Sequence, residues 1–285
     1  MTPITQPPSL VLRFEQAEEI HVIQQAKTLQ KLYPSHDLCI QRQQMTGGVA
    51  IRTLPQFEGK LNRAVGLSLR GPFTLQVLRE LESTYATIGL HPEIHLCEYA
   101  DPSAWQVLAR AGYFSKGTLS VYYVDLENLR GQSAAACSNE NLKVTEVTSN
   151  VDRERFAAAS IAGFADGGRS EELLGALARI ATLRDDTSLY IATTDGGKVV
   201  GTAALGVLST DTLGGSVGHL YLDSTVPGYR GMGAHAALIH ARLRVAQGKG
   251  LKSVTLSTRQ GSGSARNAEK AGFRVTYRKE ILVKG

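Results

Sequence analysis

The residues best placed to do chemistry form one run, Thr225-Val226-Pro227-Gly228-Tyr229-Arg230-Gly231-Met232-Gly233-Ala234-His235. It follows a stretch with strand character. It precedes one in which Ala234, Ala237, Leu238, Ala241 and Val245 recur with helical spacing. A helix start leaves backbone N–H groups without partners, and the helix dipole adds partial positive charge there. Gly231 and Gly233 let the chain turn tightly and let an anion come close to the backbone. Arg230, Gly231, Met232, Gly233, Ala234 and His235 therefore read as a cradle for a diphosphate. Two glycines before a helix also make an ordinary turn, so the surrounding elements must decide.

Those elements are consistent with an anionic ligand. The chain has 285 residues, 42% apolar and 20% charged, enough for two domains with their own cores. Residues 1–130 hold 12 Lys+Arg and 12 Asp+Glu, whereas residues 131–285 hold 19 and 14, so the whole net charge of +5 lies in the second half. A basic half suits an anionic partner. Nucleic acid is not expected, because no basic run, zinc-ligand pattern or aromatic-rich RNA-binding signature is present. No window reaches the roughly 18 apolar residues of a membrane span, and residues 1–8 do not read as a secretory signal. Cys39, Cys97 and Cys137 are far apart and no metal-ligand spacing occurs, which fits reduced thiols in a cytoplasmic protein without a metal.

In the second half the pattern predicts strands at 142–147, 188–193, 199–207, 217–225, 253–256 and 274–283. Helices are predicted at 151–163, 170–183, 232–247 and 264–271. Gly196-Gly197 and Gly214-Gly215 mark turns. The first half repeats the later part of this plan at an offset of 159 or 160: Arg70-Gly71 falls on Arg230-Gly231, Gly89 on Gly248, and Ala111-Gly112-Tyr113 on Ala271-Gly272-Phe273. Helices are expected at 73–88 and 102–111, with strands at 93–97 and from Tyr113 onward. An offset this constant points to internal duplication. The copies differ at the cradle, because the first reads Arg70-Gly71-Pro72-Phe73-Thr74-Leu75. Pro72 has no N–H to donate and Phe73 puts a ring where close approach is needed.

The spacing of Arg230, Gly233 and His235 resembles the Arg/Gln-x-x-Gly-x-Gly/Ala signature of the GNAT acetyltransferases. The closing Asn267-Ala268-Glu269-Lys270-Ala271-Gly272-Phe273 resembles that superfamily's last helix, glycine, aromatic and strand. Thr225-x-Pro227-x-x-Arg230-Gly231-x-Gly233 and Gly263-Ser264-x-Arg266-Asn267 are closest to bacterial tandem GNAT proteins. The resemblance implies an α/β (α+β) chain of two tandem GNAT-like domains, each a mixed, mostly antiparallel sheet flanked by helices. Residues 1–130 would be a degenerate copy lacking the diphosphate loop, 131–141 a linker, and 142–285 the acetyl-CoA-binding domain. The usual small residue at the signature's last position is His235 here, which leaves the backbone N–H unaffected.

The resemblance further implies an N-acetyltransferase: acetyl-CoA as acyl donor, no metal, and an amine of a small molecule or peptide attacking the thioester directly. A non-catalytic acyl-CoA sensor is the alternative reading, and a homodimer is left open. Backbone of Ser224, Thr225 and Val226 would pair with the pantetheine arm, with an N–H near Thr225 facing the developing oxyanion. Asn267 is a further candidate coenzyme contact. The family's donor tyrosine, four residues before the closing glycine, is replaced by Ala268, so Ser264, Asn267 and Tyr277 are the candidate donors. Ser264 reads equally as a helix N-cap, and Tyr277 as a packing residue. Strand alternation puts His219, Tyr221 and Asp223 on one face, making His219 and Asp223 the candidate bases. Glu98, Tyr99, Asp101 and Trp105, around one turn of the first half, are candidate acceptor contacts. Asp101 also reads as a cap and Trp105 as core.

Overall fold

The computed structural model describes residues 8–129, 142–210 and 215–285. The expected linker 131–141, Cys137 and Gly214 lie outside the described residues. In chain order the elements are α1 (Ser9–Leu32), β1 (Cys39–Arg42), β2 (Val49–Arg52), β3 (Arg63–Val65), α2 (Leu75–Ala86), β4 (Glu93–Cys97), α3 (Pro102–Arg110), β5 (Tyr113–Asp125) and β6 (Leu142–Glu146). There follow α4 (Asn150–Phe164), α5 (Glu171–Thr182), β7 (Thr187–Thr194), β8 (Val199–Thr210), β9 (Gly215–Thr225), α6 (Ala234–Gly248), β10 (Ser253–Thr258), α7 (Gly263–Lys270) and β11 (Arg274–Lys284). The repeat is plain in this order: α2-β4-α3-β5 in the first half, α6-β10-α7-β11 in the second.

The chain divides into two compact units. Among the described residues, the first comprises those up to Val121, Thr210 and Val275–Gly285, and the second Tyr122–Ser209 and Gly215–Arg274. In the first unit the strand order is β1-β2-β3-β4-β11, followed by the start of β5. Strands β3 and β4 are parallel, and β1/β2, β2/β3 and β4/β11 antiparallel. Period-two alternation gives this sheet two apolar faces. Val49, Ile51 and Val65 pack with Val22, Ile23 and Ala26 of α1, while Ala50, Ala64, Ile94 and Leu96 pack with Leu78 and Leu81 of α2 and Ala104 and Leu108 of α3.

The compact units depart from a simple division into halves at β11. That strand does not close the second unit: it pairs with β4, setting Lys279 opposite Cys97 and Leu282 opposite Ile94. Two buried side chains bind it to α1. Lys279 pairs with Glu15 at 2.5 Å and with Glu18, and the Tyr277 hydroxyl donates to Glu15 Oε1 at 2.5 Å. Burial opposes a charged lysine, yet the two carboxylates hold the Lys279 ammonium above its usual range.

In the second unit the order is β6-β7-β8-β9-β10, with the end of β5 beside β10. The pairs β6/β7 and β7/β8 are antiparallel and β9/β10 is parallel. One face packs Leu205, Leu220, Val254 and Leu256 against Leu238, Ile239 and Leu243 of α6 and Ala265 and Ala268 of α7. The other packs Leu189, Ile191 and Ala204 against Phe156 of α4 and Ala181 of α5. Ser149 and Ser170 cap α4 and α5, and Glu171 and Glu172 add charge favourable to the dipole in the first turn of α5.

Candidate functional site

The predicted cradle is built from β9, a short turn and α6. Pro227–Tyr229 form one 3-10 turn after β9, with Tyr229 N–H donating to Val226 O at 2.9 Å. Gly231 and Gly233 then take φ values of 84° and 87°, and a Cβ on either would meet nothing within 4 Å. Glycine is therefore required there by conformation, and open space lies in front of the backbone. Gly233 is the N-cap of α6 and supplies no side-chain hydrogen bond. The first cap bond, Ala237 N–H to Gly233 O at 3.0 Å, leaves the N–H groups of Ala234 and His235 ahead of it without a helical acceptor. Helices α4, α5 and α7 of the same unit each begin with a serine that accepts such an N–H.

The equivalent turn of the first unit is closed by its own chain. Thr74 caps α2 by accepting from Val77 N–H, and Phe73 N–H donates to Ser103 Oγ at 2.8 Å, with its ring buried. Arg70 N–H donates to Thr46 O at 3.0 Å, and a Cβ on Gly71 would come within 2.7 Å of Met45 O. The hairpin between β1 and β2 thus covers the turn where the second unit leaves room.

Strand β9 does not keep the alternation expected of it. Leu222 has a φ of 55°, in the left-handed region where a branched side chain is strained, and the strand bulges there. Tyr221 and Leu222 both pack toward α4 and α5, and Asp223 turns to the opposite face and meets α6. Asp223 is therefore not beside His219 and Tyr221. Parallel pairing with β10 is confined to Gly218 with Val254 and His219 with Thr255, although both strands continue, so they part beyond His219. At that point the half-buried His219 has Nδ1 3.2 Å from Thr255 Oγ1. Its ring stacks on Tyr221, with centroids 5.9 Å apart and planes 19° apart. The Arg184 guanidinium lies 5.5 Å from the Tyr221 centroid, and burial raises the Tyr221 phenol above its usual range.

Asp223 is a staple between β9 and α6. Arg242, with a side chain 0% exposed, binds it through Nη1 at 3.1 Å and through Nη2. The same guanidinium donates to Ala204 O at 2.9 Å and Leu238 O at 3.0 Å. Two helical turns earlier, His235 Nε2 lies 3.4 Å from Asp223 Oδ1, and His235 Nδ1 meets Asn267 Nδ2 of α7 at 2.9 Å. Burial disfavours the Asp223 carboxylate, but Arg242 and His235 hold its pKa below the usual range. His235 and Asn267 thus spend their side chains on each other and on Asp223, leaving the His235 N–H in the cradle.

The loop is fixed on its other side by Arg230, whose guanidinium binds Asp166 at 2.5 and 2.8 Å, Gly163 O at 3.2 Å and Thr225 O at 3.3 Å. Gly163 of α4 lies hard against β9: a Cβ there would sit 2.4 Å from Ser224 Oγ, itself bonded to Thr202 Oγ1 at 2.7 Å. Val226 N–H is committed to Val200 O at 3.0 Å, so of the three residues expected to pair with pantetheine it offers no N–H.

Among the other expected residues, the N-cap of α7 is Ser262, accepting from Ala265 N–H at 3.1 Å. Ser264 lies one residue inside α7, half-buried, with no hydrogen-bond partner for its hydroxyl among the described residues. Tyr277 belongs to the first unit and its proton is committed to Glu15. The cluster in the first half has local duties: Asp101 caps α3, Glu98 accepts from Arg278 N–H at 2.7 Å, Trp105 packs on the core, and Tyr99 is half-buried. Among the described residues no group of three or more His, Cys, Asp or Glu is placed to hold a metal. No described helix is long and apolar enough to cross a membrane.

Residues 157–273 match the sequence profile of the Acetyltransferase (GNAT) family. Comparison with curated protein sequences gives no match. Among solved structures the chain is similar to a GCN5-related N-acetyltransferase from Kribbella flavida, at 18% identity and a TM-score of 0.59 over 93% of this chain and 95% of that one. It is also similar to a GCN5-related N-acetyltransferase from Sphaerobacter thermophilus, at 14% identity and 0.56 over 98% and 94%. A tandem GNAT protein from the clavulanic acid biosynthesis pathway gives 11% and 0.57 over 93% and 94%. At such identities the likeness is one of fold. Residues 157–273 are a domain of the acetyltransferase (GNAT) family, carried in a chain with the tandem GNAT fold.

Proposed function

We propose that the second unit binds an acyl-CoA, principally acetyl-CoA, and passes the acyl group to an amine of a small molecule or peptide. The observation that carries this is the uncapped start of α6, where Gly231 and Gly233 hold left-handed φ values in front of open space. N–H groups at Gly233, Ala234 and His235 fit a diphosphate, the helix dipole adds to the attraction, and no side chain competes. Acetyl-CoA supplies the activated acyl carbon.

The chain's own residues would position the reactants and move protons. The gap opened between β9 and β10 beyond His219 receives an extended arm alongside Ser224 and Thr225. Thr225 N–H is the candidate donor to the charge that develops on the acyl oxygen. His219, at the apex of the gap and oriented by Thr255, accepts the amine proton. Ser264 is the hydroxyl that can serve the departing thiolate. Asp223 and Asn267 act through His235, fixing the cradle relative to β9. The first unit, whose corresponding turn is filled by its own hairpin, takes no coenzyme at that place.

Thermal melts with acetyl-CoA, combined with release of free thiol over a panel of amines, test the reading. Acetyl-CoA should raise the melting temperature of the protein. Gly233→Val should abolish the rise, and Thr74→Ala, at the matching helix start of the first unit, should retain it. Thiol release with at least one amine supports transfer. Coenzyme binding without turnover on any amine would favour a sensor. A rise that survives Gly233→Val refutes the cradle.

A further inference from the structure

A run of side chains in the second unit leads from a buried ion pair to His219. Its first member is Arg184, whose side chain is 1% exposed and whose Nε and Nη2 each donate to Asp186 at 2.8 Å. Thr187 donates its one hydroxyl proton to Asp186 Oδ1 at 3.1 Å, and its Oγ1 lies 2.9 Å from the Tyr221 hydroxyl. A carboxylate only accepts, so the proton between Thr187 and Tyr221 is the phenol's. To reach Thr187 the Tyr221 ring crosses β8 at Gly206, the register partner of Thr187, where a Cβ would lie 3.6 Å from the ring. The Arg184 guanidinium, 5.5 Å from the ring centroid, bounds the same ring. The ring is thus held at its hydroxyl and beside a buried cation. His219 stacks on it, with centroids 5.9 Å apart and planes 19° apart.

The edge of the imidazole is fixed by a different strand. Thr255 of β10, which is buried, donates its only proton to Gly218 O at 3.4 Å. The 3.2 Å contact of its Oγ1 with His219 Nδ1 therefore needs the hydrogen on Nδ1. A neutral imidazole with its hydrogen there carries the lone pair on Nε2. We infer that Tyr221 is a positioning residue for His219, and that with Thr255 it holds the imidazole as the Nδ1–H tautomer whose Nε2 takes the proton of the acceptor amine. In the exchange the nitrogen of a neutral amine bonds to the acyl carbon and sheds one proton to Nε2. The bond from carbon to sulfur breaks, and the sulfur leaves with the electron pair as thiolate. This rests on the acyltransferase reading above and adds to it the atom that acts and the residues that aim it.

Two readouts test it, one of them independent of turnover. Imidazole nitrogen shifts, measured by NMR on the free full-length protein at mildly alkaline pH and assigned with His219→Gln, separate protonated from bare ring nitrogens. They should place the hydrogen on Nδ1 of His219 in the parent and in Thr255→Ser, and lose that preference in Thr255→Val. In steady-state kinetics with acetyl-CoA and the fastest amine of the panel, Thr255→Val should lower kcat about tenfold, the scale of one lost hydrogen bond. Tyr221→Leu should lower it about three- to tenfold, the scale of one aromatic stack. In both, the acetyl-CoA KM should stay within about twofold, since the cradle is untouched. Thr255→Ser and Tyr221→Phe, which keep the hydroxyl and the ring, should recover most of the loss. A parent with the hydrogen on Nε2, or a Thr255→Val variant with unchanged shifts, would overturn the inference. So would a folded Tyr221→Leu variant of full kcat. A loss in Tyr221→Phe as large as in Tyr221→Leu would make the phenol proton the working part and also overturn it. Absence of turnover with every amine would sink the acyltransferase reading, and the role given to Nε2 with it, even where the nitrogen shifts show the tautomer.

Discussion

Replacing Asp223 should be felt first in stability. Among the described residues its carboxylate is the only acidic partner of Arg242, whose side chain is 0% exposed and which also donates to the neutral carbonyls of Ala204 and Leu238. Removing one member of a buried pair strands the other charge, at about 3–5 kcal/mol. For a unit of this size each kcal/mol is worth roughly 2–4 °C, so Asp223→Leu should lower the melting temperature by about 10 °C. Asp223→Asn keeps one acceptor and should cost less. Arg242→Met in the Asp223→Leu background should recover most of the loss, because a packed apolar pair often matches a buried ion pair. Urea unfolding is best followed by far-ultraviolet ellipticity, since the single tryptophan, Trp105, lies in the first unit and would report on that unit alone. A loss below about 1 kcal/mol, or no recovery in the double variant, would refute the staple. A variant of full stability whose kcat alone collapses would make Asp223 the base instead.

Other consequences are as direct. Gly163→Ala puts a Cβ 2.4 Å from Ser224 Oγ, so α4 and β9 must move apart. It should cost about 1–3 kcal/mol and weaken acetyl-CoA binding, as calorimetry of the folded variant would show. His219→Ala should lower kcat by roughly 10²–10⁴ while the coenzyme KM stays within about twofold, and an unchanged kcat removes His219 as base. In the first unit burial pushes the Glu19 carboxyl from its ordinary 4.5 to about 7, against the pull of Arg70. Between those values the unfolded chain gives up a proton that the folded one keeps, so this group's stabilisation is present at low pH and is lost as pH rises to about 7. Glu19→Gln should therefore gain on the order of 1–3 kcal/mol at pH 8 and nothing at pH 4, read from urea midpoints.

The sequence exposes features whose signals are local. The glycine turn before α6, the helices expected at 73–88 and 232–247 and the internal repeat rest on glycines, helical spacing and a constant offset; Gly231 and Gly233 turn the chain there, and the helices form at 75–86 and 234–248. The misread features depend on distant partners. Helix α1 buries Glu15, Glu19, His21 and Gln25 beside its apolar residues, which hides the 3.6-residue pattern. Of these, Glu15 makes sense only with Lys279 and Tyr277 of β11 in place. No glycine or proline marks the bulge at Leu222, so alternation wrongly carries Asp223 to the face of His219. Ser262 and Ser264 are equally good caps by type, and only the position of Ala265 N–H separates them. Asp166, Arg242 and Thr255 carry no motif at all; each becomes visible through the partner it binds.

A crystal of the protein grown with acetyl-CoA tests the central claim most directly. The account predicts the coenzyme diphosphate within hydrogen-bond distance of the N–H groups of Gly233, Ala234 and His235, with its extended arm between β9 and β10. A diphosphate seated instead against Arg70–Phe73 of the first unit, or away from both helix starts, would contradict it.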